Sequence, residues 1–370
     1  MTLKEIRTKS NKLTEYIINK DILVAVVVAI GLIIAGLSLG WYNNRVIPAN
    51  PATFAHYTAE PNNTLKFISN WDGPDYIRLS KTGYTDTNDA NFFPLYPLLI
   101  HLVNKVVSSS LYSALLISWV SLVGAIYYYL KIVKKFFKIK RNKEALKAVL
   151  LFVLFPTSIF LVATYTESLF SFLALASIYY ALEKKYLYTI MFAILAGLTH
   201  ITALFLLVLL ALILIDQKVK IKKVLIFGVL SSLGIITYMS LLFSKFNNPL
   251  AFITAQRSHG WLHLHTNYLT NIANNFNLIN LIFIILLVLS VIYWWRKKWI
   301  FSVYSGLFLL IPLAGEFGGF DRYTLVAFPV QFMIYDKLKD KSLAYTLVIA
   351  FFSIIWAYTV MQYSGGYTGS

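Results

Sequence analysis

The 370-residue sequence contains no cysteine, which excludes disulfide bonds and thiolate metal sites. Charge is also scarce, because 13% of the residues are charged and about a quarter are charged in typical soluble domains. Hydrophobic residues make up 58% of the chain, and the mean hydropathy is +0.66. This composition, with apolar runs from end to end, is typical of an integral membrane protein and excludes a water-soluble fold.

Acidic residues are the rarer charged class, with 16 Asp and Glu against 33 Lys and Arg, for a net charge of +17. In a polytopic protein such a surplus first indicates cytoplasmic loops that follow the positive-inside rule, so we predict no nucleic-acid partner. The sequence also lacks long internal repeats, low-complexity tracts and a cleavage site after its first apolar run. Residues 22–40 are therefore predicted to be a retained first span.

Hydrophobic runs predict one all-α polytopic domain over residues 1–370, with about eleven membrane spans. The predicted spans are 22–40, 111–133, 148–163, 168–182, 188–199, 202–215, 224–243, 277–295, 299–314, 322–336 and 343–361. A further apolar helix at 92–107 is expected to lie flat or re-entrant on the outer side. The segment 188–215 is expected to form two short helices that meet at Thr199–Thr202 and line a cavity.

Charge sets the orientation of these spans. With a cytoplasmic N-terminus, most Lys and Arg residues fall on inner segments, as the positive-inside rule requires. Residues 41–110 then form the first outer loop, and all six histidines fall on or near the outer side. We therefore expect any chemistry to face outward.

The first outer loop contains the one long polar stretch of the chain, Asn70–Leu99. Asp72 in this stretch is suited to act as a general base toward a hydroxyl, or it caps a helix. Glu167, between two predicted spans, either caps the following helix or faces Asp72 across a cavity. The spacing alone leaves both alternatives open for each acid.

A few cations and one histidine are candidates for binding phosphate. Arg78 is able to clamp a phosphate, or it pairs with Asp75 or Asp72. Arg322 follows a glycine-rich segment at the outer mouth of a predicted span, which favours phosphate binding over a pair with Asp321. His200 interrupts an apolar run, where it is either a structural hydrogen-bonding group or a donor to phosphate.

Metal binding has weaker support. His263 and His265 have a spacing that would suit a metal on a strand, but no acid or cysteine lies nearby in sequence, and a solvated loop is favoured. No clear ligand set supports a divalent metal, so we predict no certain cofactor and leave a metal requirement open.

An ordered set of motifs resembles the PIG-V-like mannosyltransferases, members of the GT-C class of polytopic glycosyltransferases. The matching residues are Trp71-Asp72, Tyr76-Ile77, Gly83-Tyr84, Phe92-Phe93-Pro94-Leu95-Tyr96-Pro97, Tyr165-Thr166-Glu167-Ser168, Ala196-Gly197-Leu198-Thr199-His200, Pro249-Leu250-Ala251-Phe252, Gln256, Trp261, Arg322-Tyr323 and Phe328-Pro329. The chain departs from the family pattern twice, because Asn70 and His200 stand where the family usually has arginine. Both departures remove positive charge from the region expected to meet the donor phosphate.

The resemblance implies a GT-C-like bundle and inverting transfer of a sugar, mannose in this family, at the outer membrane face. The implied donor is a polyprenyl-phosphate sugar, and the acceptor is a hydroxyl of a glycolipid, glycan or protein. In this hypothesis Asp72 and Glu167 are catalytic, and Arg322, His200 and Arg78 bind the donor phosphate. The implied substrate-binding residues are Trp71, Asp75, Tyr76, Tyr84, Tyr96, Gln256, Trp261 and Tyr323.

Two other classes of function compete with transfer. A transporter or flippase of a lipid-linked substrate would also use intramembrane charges and broken helices. The polar groups cluster on one side of the predicted bundle, and no inverted repeat is visible, which favours the enzyme. A non-catalytic scaffold is disfavoured by the outward polar loop.

Overall fold

The computed structural model describes residues 3–47, 64–258, 278–313 and 319–367. Within these ranges the chain is helical and contains no β-strand. The all-α class predicted from the apolar runs is therefore confirmed for this part of the chain.

The helices are numbered in chain order. The first six are α1 (Leu3–Val46), α2 (Asp72–Thr82), α3 (Leu95–Val107), α4 (Ser110–Phe136), α5 (Asn142–Val153) and α6 (Glu167–Leu182). They are followed by α7 (Tyr186–Gly197), α8 (Ala203–Asp216), α9 (Ile221–Phe246), α10 (Ala251–Ser258), α11 (Leu278–Lys297), α12 (Trp299–Phe308), α13 (Leu310–Leu313), α14 (Phe320–Thr324), α15 (Phe328–Leu338) and α16 (Ser342–Gly365). Short 3₁₀ turns lie at Lys66–Ile68, Thr87–Asn91 and Ser158–Leu161.

Membrane character is concentrated in long apolar helices. Among the described residues, five helical segments are long and apolar enough to cross a bilayer: Lys20–Val46, Ser110–Phe136, Ile221–Phe246, Ile279–Lys297 and Ser342–Gly365. Shorter apolar helices, among them α3, α6, α7 and α8, supply much of the remaining hydrophobic bundle. These helices indicate a membrane protein, whereas the predicted count of about eleven full spans is not confirmed.

Prolines interrupt two of the predicted spans. In the predicted span 148–163, α5 ends at Val153, and the chain continues past Pro156 into a 3₁₀ turn. The predicted span 322–336 is divided between α14 and α15, with Pro329 in the first turn of α15. Proline fits the first turn of a helix and disrupts its interior, so an apolar run that contains one need not be a continuous helix.

The two short helices expected in 188–215 are present as α7 and α8, with a break at residues 198–202. The first loop packs directly on this break, because the Leu95 amide donates a hydrogen bond to the Leu198 carbonyl at 2.9 Å. The Tyr238 hydroxyl of α9 donates to the Ala90 carbonyl at 2.6 Å. The loop before α3, the break and α9 therefore form one packed unit.

The lysine-rich segments gather at one end of the bundle. Ion pairs connect Asp21 with Lys134 at 2.5 Å, Glu183 with Lys135 at 2.6 Å, and Asp216 with Lys298 at 2.7 Å. Glu183 directly follows the last residue of α6, whereas Glu167 is its first residue. The 16 residues of α6 separate these two ends by about 24 Å at 1.5 Å per residue.

Helices α7 and α9 approach closely at Gly234. A β-carbon placed there would lie 2.0 Å from the Ile194 carbonyl oxygen, a backbone atom that cannot rotate away. Gly228, on the same helix, has no atom within 4 Å of the corresponding position. The close contact of the two helices therefore depends on the missing side chain at Gly234.

We expect Gly234→Ala to destabilise the protein, since the added methyl must push α7 and α9 apart. Overpacking of this kind typically costs about 1–3 kcal/mol. Gly228→Ala is the matched control, and its melting temperature should stay unchanged or rise slightly because alanine favours helix. Thermal unfolding of both variants in the same detergent tests this, and equal melting temperatures would contradict it.

Candidate active site

A tight turn over Asn70–Gly73 overlaps the start of α2. The Gly73 amide donates to the Asn70 carbonyl at 3.1 Å, and Trp71 at the second position has φ 58° and ψ −113°. These angles are close to those of a type II′ turn, about +60° and −120°, where glycine is the usual residue. Since α2 begins at Asp72, the geometry of this turn sets the direction of the Asp72 side chain.

Arg322 connects the two acids that the sequence analysis singled out. Its Nη1 donates a hydrogen bond to Asp72 Oδ2 at 2.7 Å, and its Nε lies 3.1 Å from Glu167 Oε1. Asp72 comes from the first loop, Glu167 from the start of α6 and Arg322 from α14. Three segments far apart in sequence thus meet at one charged cluster.

The cluster is buried unequally. The side chains of Glu167 and Arg322 are 3% and 10% exposed, whereas that of Asp72 is 25% exposed. The Nε of Arg322 and both carboxylate oxygens of Glu167 lack an aligned hydrogen bond within the described part of the chain, so the 3.1 Å contact is an ion pair only. Asp72 is therefore the accessible acid of the cluster, and Glu167 is enclosed.

Aromatic rings surround the guanidinium group of Arg322. Its Cζ lies 5.2 Å from the ring centroid of Tyr165, 5.3 Å from that of Tyr323 and 5.7 Å from that of Phe160. Rings at these distances attract a cation through their quadrupoles. They also exclude water, which strengthens the electrostatic interactions inside the cluster.

His200 lies in the break between α7 and α8, beside Glu167. Its Nδ1 accepts a hydrogen bond from the Thr202 amide at 3.2 Å and lies 2.7 Å from the Thr202 hydroxyl. The proton of a neutral ring is therefore assigned to Nε2, which lies 4.0 Å from Glu167 Oε1. The ring of Tyr323 packs edge-on against His200 at 5.2 Å.

The predicted tyrosines take different positions. Tyr76 is buried next to the cluster, where its ring packs edge-on against those of Tyr96 and Phe92, both at 5.1 Å. The hydroxyl of Tyr96 hydrogen-bonds with Ser118, and that of Tyr84 donates to the Phe92 carbonyl. Tyr76 and Tyr323 thus line the cluster, whereas the hydroxyls of Tyr84 and Tyr96 bond to neighbouring parts of the fold.

Arg78 and Asp75 belong to a separate ion-pair group in the first loop. Arg78 Nη2 lies 2.6 Å from Asp89 Oδ1 and 3.2 Å from Asp75 Oδ1. Burial would raise the pKa of Asp89, but hydrogen bonds from Arg78 and from the amides of Thr85 and Asp86 outweigh it and lower this pKa. In this structure Arg78 is therefore engaged in ordering the loop.

The remaining candidates give less information. Gln256 lies on α10 and is partly buried, and Trp261, His263 and His265 lie outside the described residues. Within the described ranges, no three His, Asp or Glu side chains converge as a metal site would require.

Several residues that contribute to the site were not among its predicted members. Tyr165 belongs to the motif around Glu167 that matches the family pattern, but the motif gave Tyr165 no role of its own. Thr202 lies within the predicted helix break, but its bond to His200 is visible only in the structure. Tyr363 gave no signal, because the last predicted span ends at residue 361, whereas the structure extends α16 to Gly365.

Comparison with known proteins supports the motif resemblance. A sequence model of the family described as mannosyltransferase (PIG-V) matches residues 11–263. That range includes Asp72, Glu167 and His200, whereas Arg322 and Tyr363 lie beyond it. No curated protein and no solved structure matches the chain significantly. Because the family match spans well over half of the sequence, this chain belongs to the PIG-V mannosyltransferase family.

Proposed function

We propose that this protein transfers mannose from a polyprenyl-phosphate carrier to an acceptor hydroxyl, with inversion at the anomeric carbon. The observation that carries the proposal is the bridge from Arg322 to both Asp72 and Glu167, in which Asp72 is the accessible acid. An acid for the acceptor and a cation for the leaving phosphate are the two groups that such a reaction needs. Family membership supports a glycosyltransferase.

In this mechanism Asp72 is the general base. It takes the proton of the acceptor hydroxyl while that oxygen attacks the anomeric carbon of mannose from the face opposite the phosphate. The bond between the anomeric carbon and the phosphate oxygen breaks, and its electron pair leaves with the polyprenyl phosphate. One glycosidic bond forms, one sugar–phosphate bond breaks, and the proton ends on Asp72.

Arg322 and His200 stabilise the negative charge that develops on the leaving phosphate. In the structure Arg322 contacts two carboxylates, so an incoming phosphate competes with Asp72 and Glu167 for this one cation. As Arg322 turns toward the phosphate, its hydrogen bond to Asp72 is released, and the Asp72 carboxylate is free to accept the proton of the acceptor hydroxyl. His200 contributes a neutral Nε2–H donor in place of the cation usual in the family. Arg78 acts indirectly here, by ordering the loop through Asp89.

The proposed topology is a GT-C-like bundle with its N-terminus in the cytoplasm and the active site at the outer face. The lysine-rich segments lie at the end of α6 opposite Glu167, which agrees with the positive-inside rule. Helix α3, which has 13 residues and spans about 20 Å, is too short for a full crossing and would lie along the outer face.

A transfer assay tests the reaction. The full-length protein, purified and reconstituted in lipid, is given radiolabelled polyprenyl-phosphate mannose and a panel of glycolipid, glycoside and peptide acceptors. We expect labelled mannose on one acceptor class, with the anomeric configuration inverted relative to the donor. A product that retains the donor configuration would exclude a single displacement with Asp72 as base.

If the folded protein neither transfers nor hydrolyses any lipid-linked sugar, the proposed enzymatic function is contradicted. In that case, movement of the intact lipid-linked sugar across the bilayer would identify a transporter instead. Release of free mannose without an acceptor product would show that the protein cleaves the sugar–phosphate bond of the donor. The proposed reaction class would then stand, and the acceptor panel would lack the natural acceptor.

A further inference from the structure

Two buried tyrosine hydroxyls hold the peptide groups on either side of Trp71. The Tyr165 hydroxyl accepts a hydrogen bond from the Asp72 amide at 3.1 Å and donates to the Asn70 carbonyl at 3.3 Å. The Tyr363 hydroxyl accepts from the Asn70 amide at 3.0 Å and lies 3.2 Å from the Asn70 carbonyl. Both peptide groups that flank Trp71 are therefore tied to side chains from other parts of the fold.

The backbone at Trp71 needs such support. Ser108 and Asn247 also have positive φ, but their ψ values of 19° and 25° are those of the ordinary left-handed region at helix ends. Trp71, with ψ −113°, lies in a region that favours glycine. Residues held in such regions store about 1–3 kcal/mol of strain and persist when their surroundings fix them.

The support from α16 is reciprocal. The side-chain amide of Asn70 donates to the Tyr363 carbonyl at 2.7 Å, while the Tyr363 hydroxyl bonds to the backbone of Asn70. Asn70 is fully buried and stands where the family usually has arginine. The Asn70 side chain thus binds the end of α16, and this contact gives asparagine a structural role at this position.

We propose that Tyr165 and Tyr363 are positioning residues that hold Trp71 in its strained turn and thereby aim Asp72 into the site. The proposal rests on the role of Asp72 in the proposed function, but its structural half stands on the hydrogen bonds alone. According to this proposal, α16, which lies outside the range of the family match, helps to position the active-site acid.

The structural half is tested by thermal unfolding of four proteins: the wild type, Tyr363→Phe, Trp71→Gly and the double variant. Glycine adopts the Trp71 angles without strain, so loss of the Tyr363 hydroxyl releases stored strain only when Trp71 is present. This release offsets part of the lost hydrogen bonding, so Tyr363→Phe should lower the melting temperature by clearly less in the wild-type background than in the Trp71→Gly background. Equal shifts in both backgrounds would show that Tyr363 and Trp71 contribute to stability independently. That result would overturn the proposed clamp, by which we mean the hold of the two tyrosine hydroxyls on the turn at Trp71.

The functional half is tested by the kinetics of Tyr363→Phe and Tyr165→Phe. Each variant should lose about 10–100-fold in kcat with an unchanged KM for the lipid donor, because a misdirected base slows chemistry without weakening donor binding. Tyr129→Phe is the matched control. Tyr129 is fully buried, and its hydroxyl makes no hydrogen bond within the described ranges, so its loss should leave kcat unchanged.

The outcomes separate this proposal from the proposed function. A coupled shift in melting temperature with an unchanged kcat would overturn the positioning role. If Tyr363→Phe does not fold, Tyr165→Phe replaces it in both experiments. If the wild type itself transfers no sugar, the proposed function fails and the link to Asp72 fails with it, while the unfolding experiment still decides whether the clamp exists.

Discussion

Replacing Asp72 with asparagine is expected to abolish transfer and to leave the protein folded. The amide has nearly the same shape as the carboxylate, but it cannot take the proton of the acceptor hydroxyl. Loss of a positioned general base typically lowers the rate by about 10²–10⁴-fold. Arg322 keeps Glu167 as a charge partner in this variant, so the fold does not gain an unpaired buried cation.

Asp86→Asn is the matched control for this substitution. Asp86 lies in the same loop, is exposed and caps the 3₁₀ turn at Thr87–Asn91. Its replacement should retain most of the transfer activity, because it lies in the loop without contacting the charged cluster. An Asp72→Asn protein that transfers mannose at the wild-type rate would show that another group is the base, with Glu167 the next acid to test.

Replacing Arg322 with methionine is expected to damage both stability and activity. Glu167 is 3% exposed, and in the described structure Arg322 is the one cation within salt-bridge distance of it. The other nearby group, His200 Nε2 at 4.0 Å, is assigned as neutral. The change therefore leaves the buried carboxylate without a charge partner. Breaking a buried ion pair by removing one partner costs about 3–5 kcal/mol. Transfer should fall to background as well, since the leaving phosphate loses its main charge partner.

A second substitution separates the two effects of Arg322→Met. Adding Glu167→Gln removes the unpaired buried charge, so the double variant should recover much of the lost melting temperature. It should still transfer no sugar. Arg322→Lys keeps the charge but lacks the planar guanidinium that reaches two carboxylates, and an intermediate stability is expected. Wild-type stability and turnover in Arg322→Met would contradict the role of this bridge.

Much of the architecture was accessible from the sequence because it depends on local composition. The scarcity of charge indicated a membrane protein, and the interruption of the apolar run around His200 indicated the break between α7 and α8. Prolines are the exception, because a hydropathy pattern does not register the helix breaks that they cause. Pro156 and Pro329 lie inside apolar runs that hydropathy treats as continuous, whereas the backbone must break or restart a helix near them.

The candidate site was partly predictable, because an acid or arginine is rare in so apolar a chain. Asp72, Glu167 and Arg322 were singled out for that reason, and the structure brings all three into contact. Arg78 had the same sequence signal. It pairs with Asp75, one of the two partners predicted for it, and with Asp89, an acid whose own part in the loop was not predicted.

The membrane class, the helical bundle and a short set of polar candidates were predictable from local patterns, because each of these depends on which side chains neighbour one another along the chain. Which of those residues meet depends on the packing of the whole fold. Arg322 reaches Asp72 across 250 positions, and Tyr363 reaches Asn70 across 293. Such pairs depend on how distant helices pack, and no local pattern of residues records that packing.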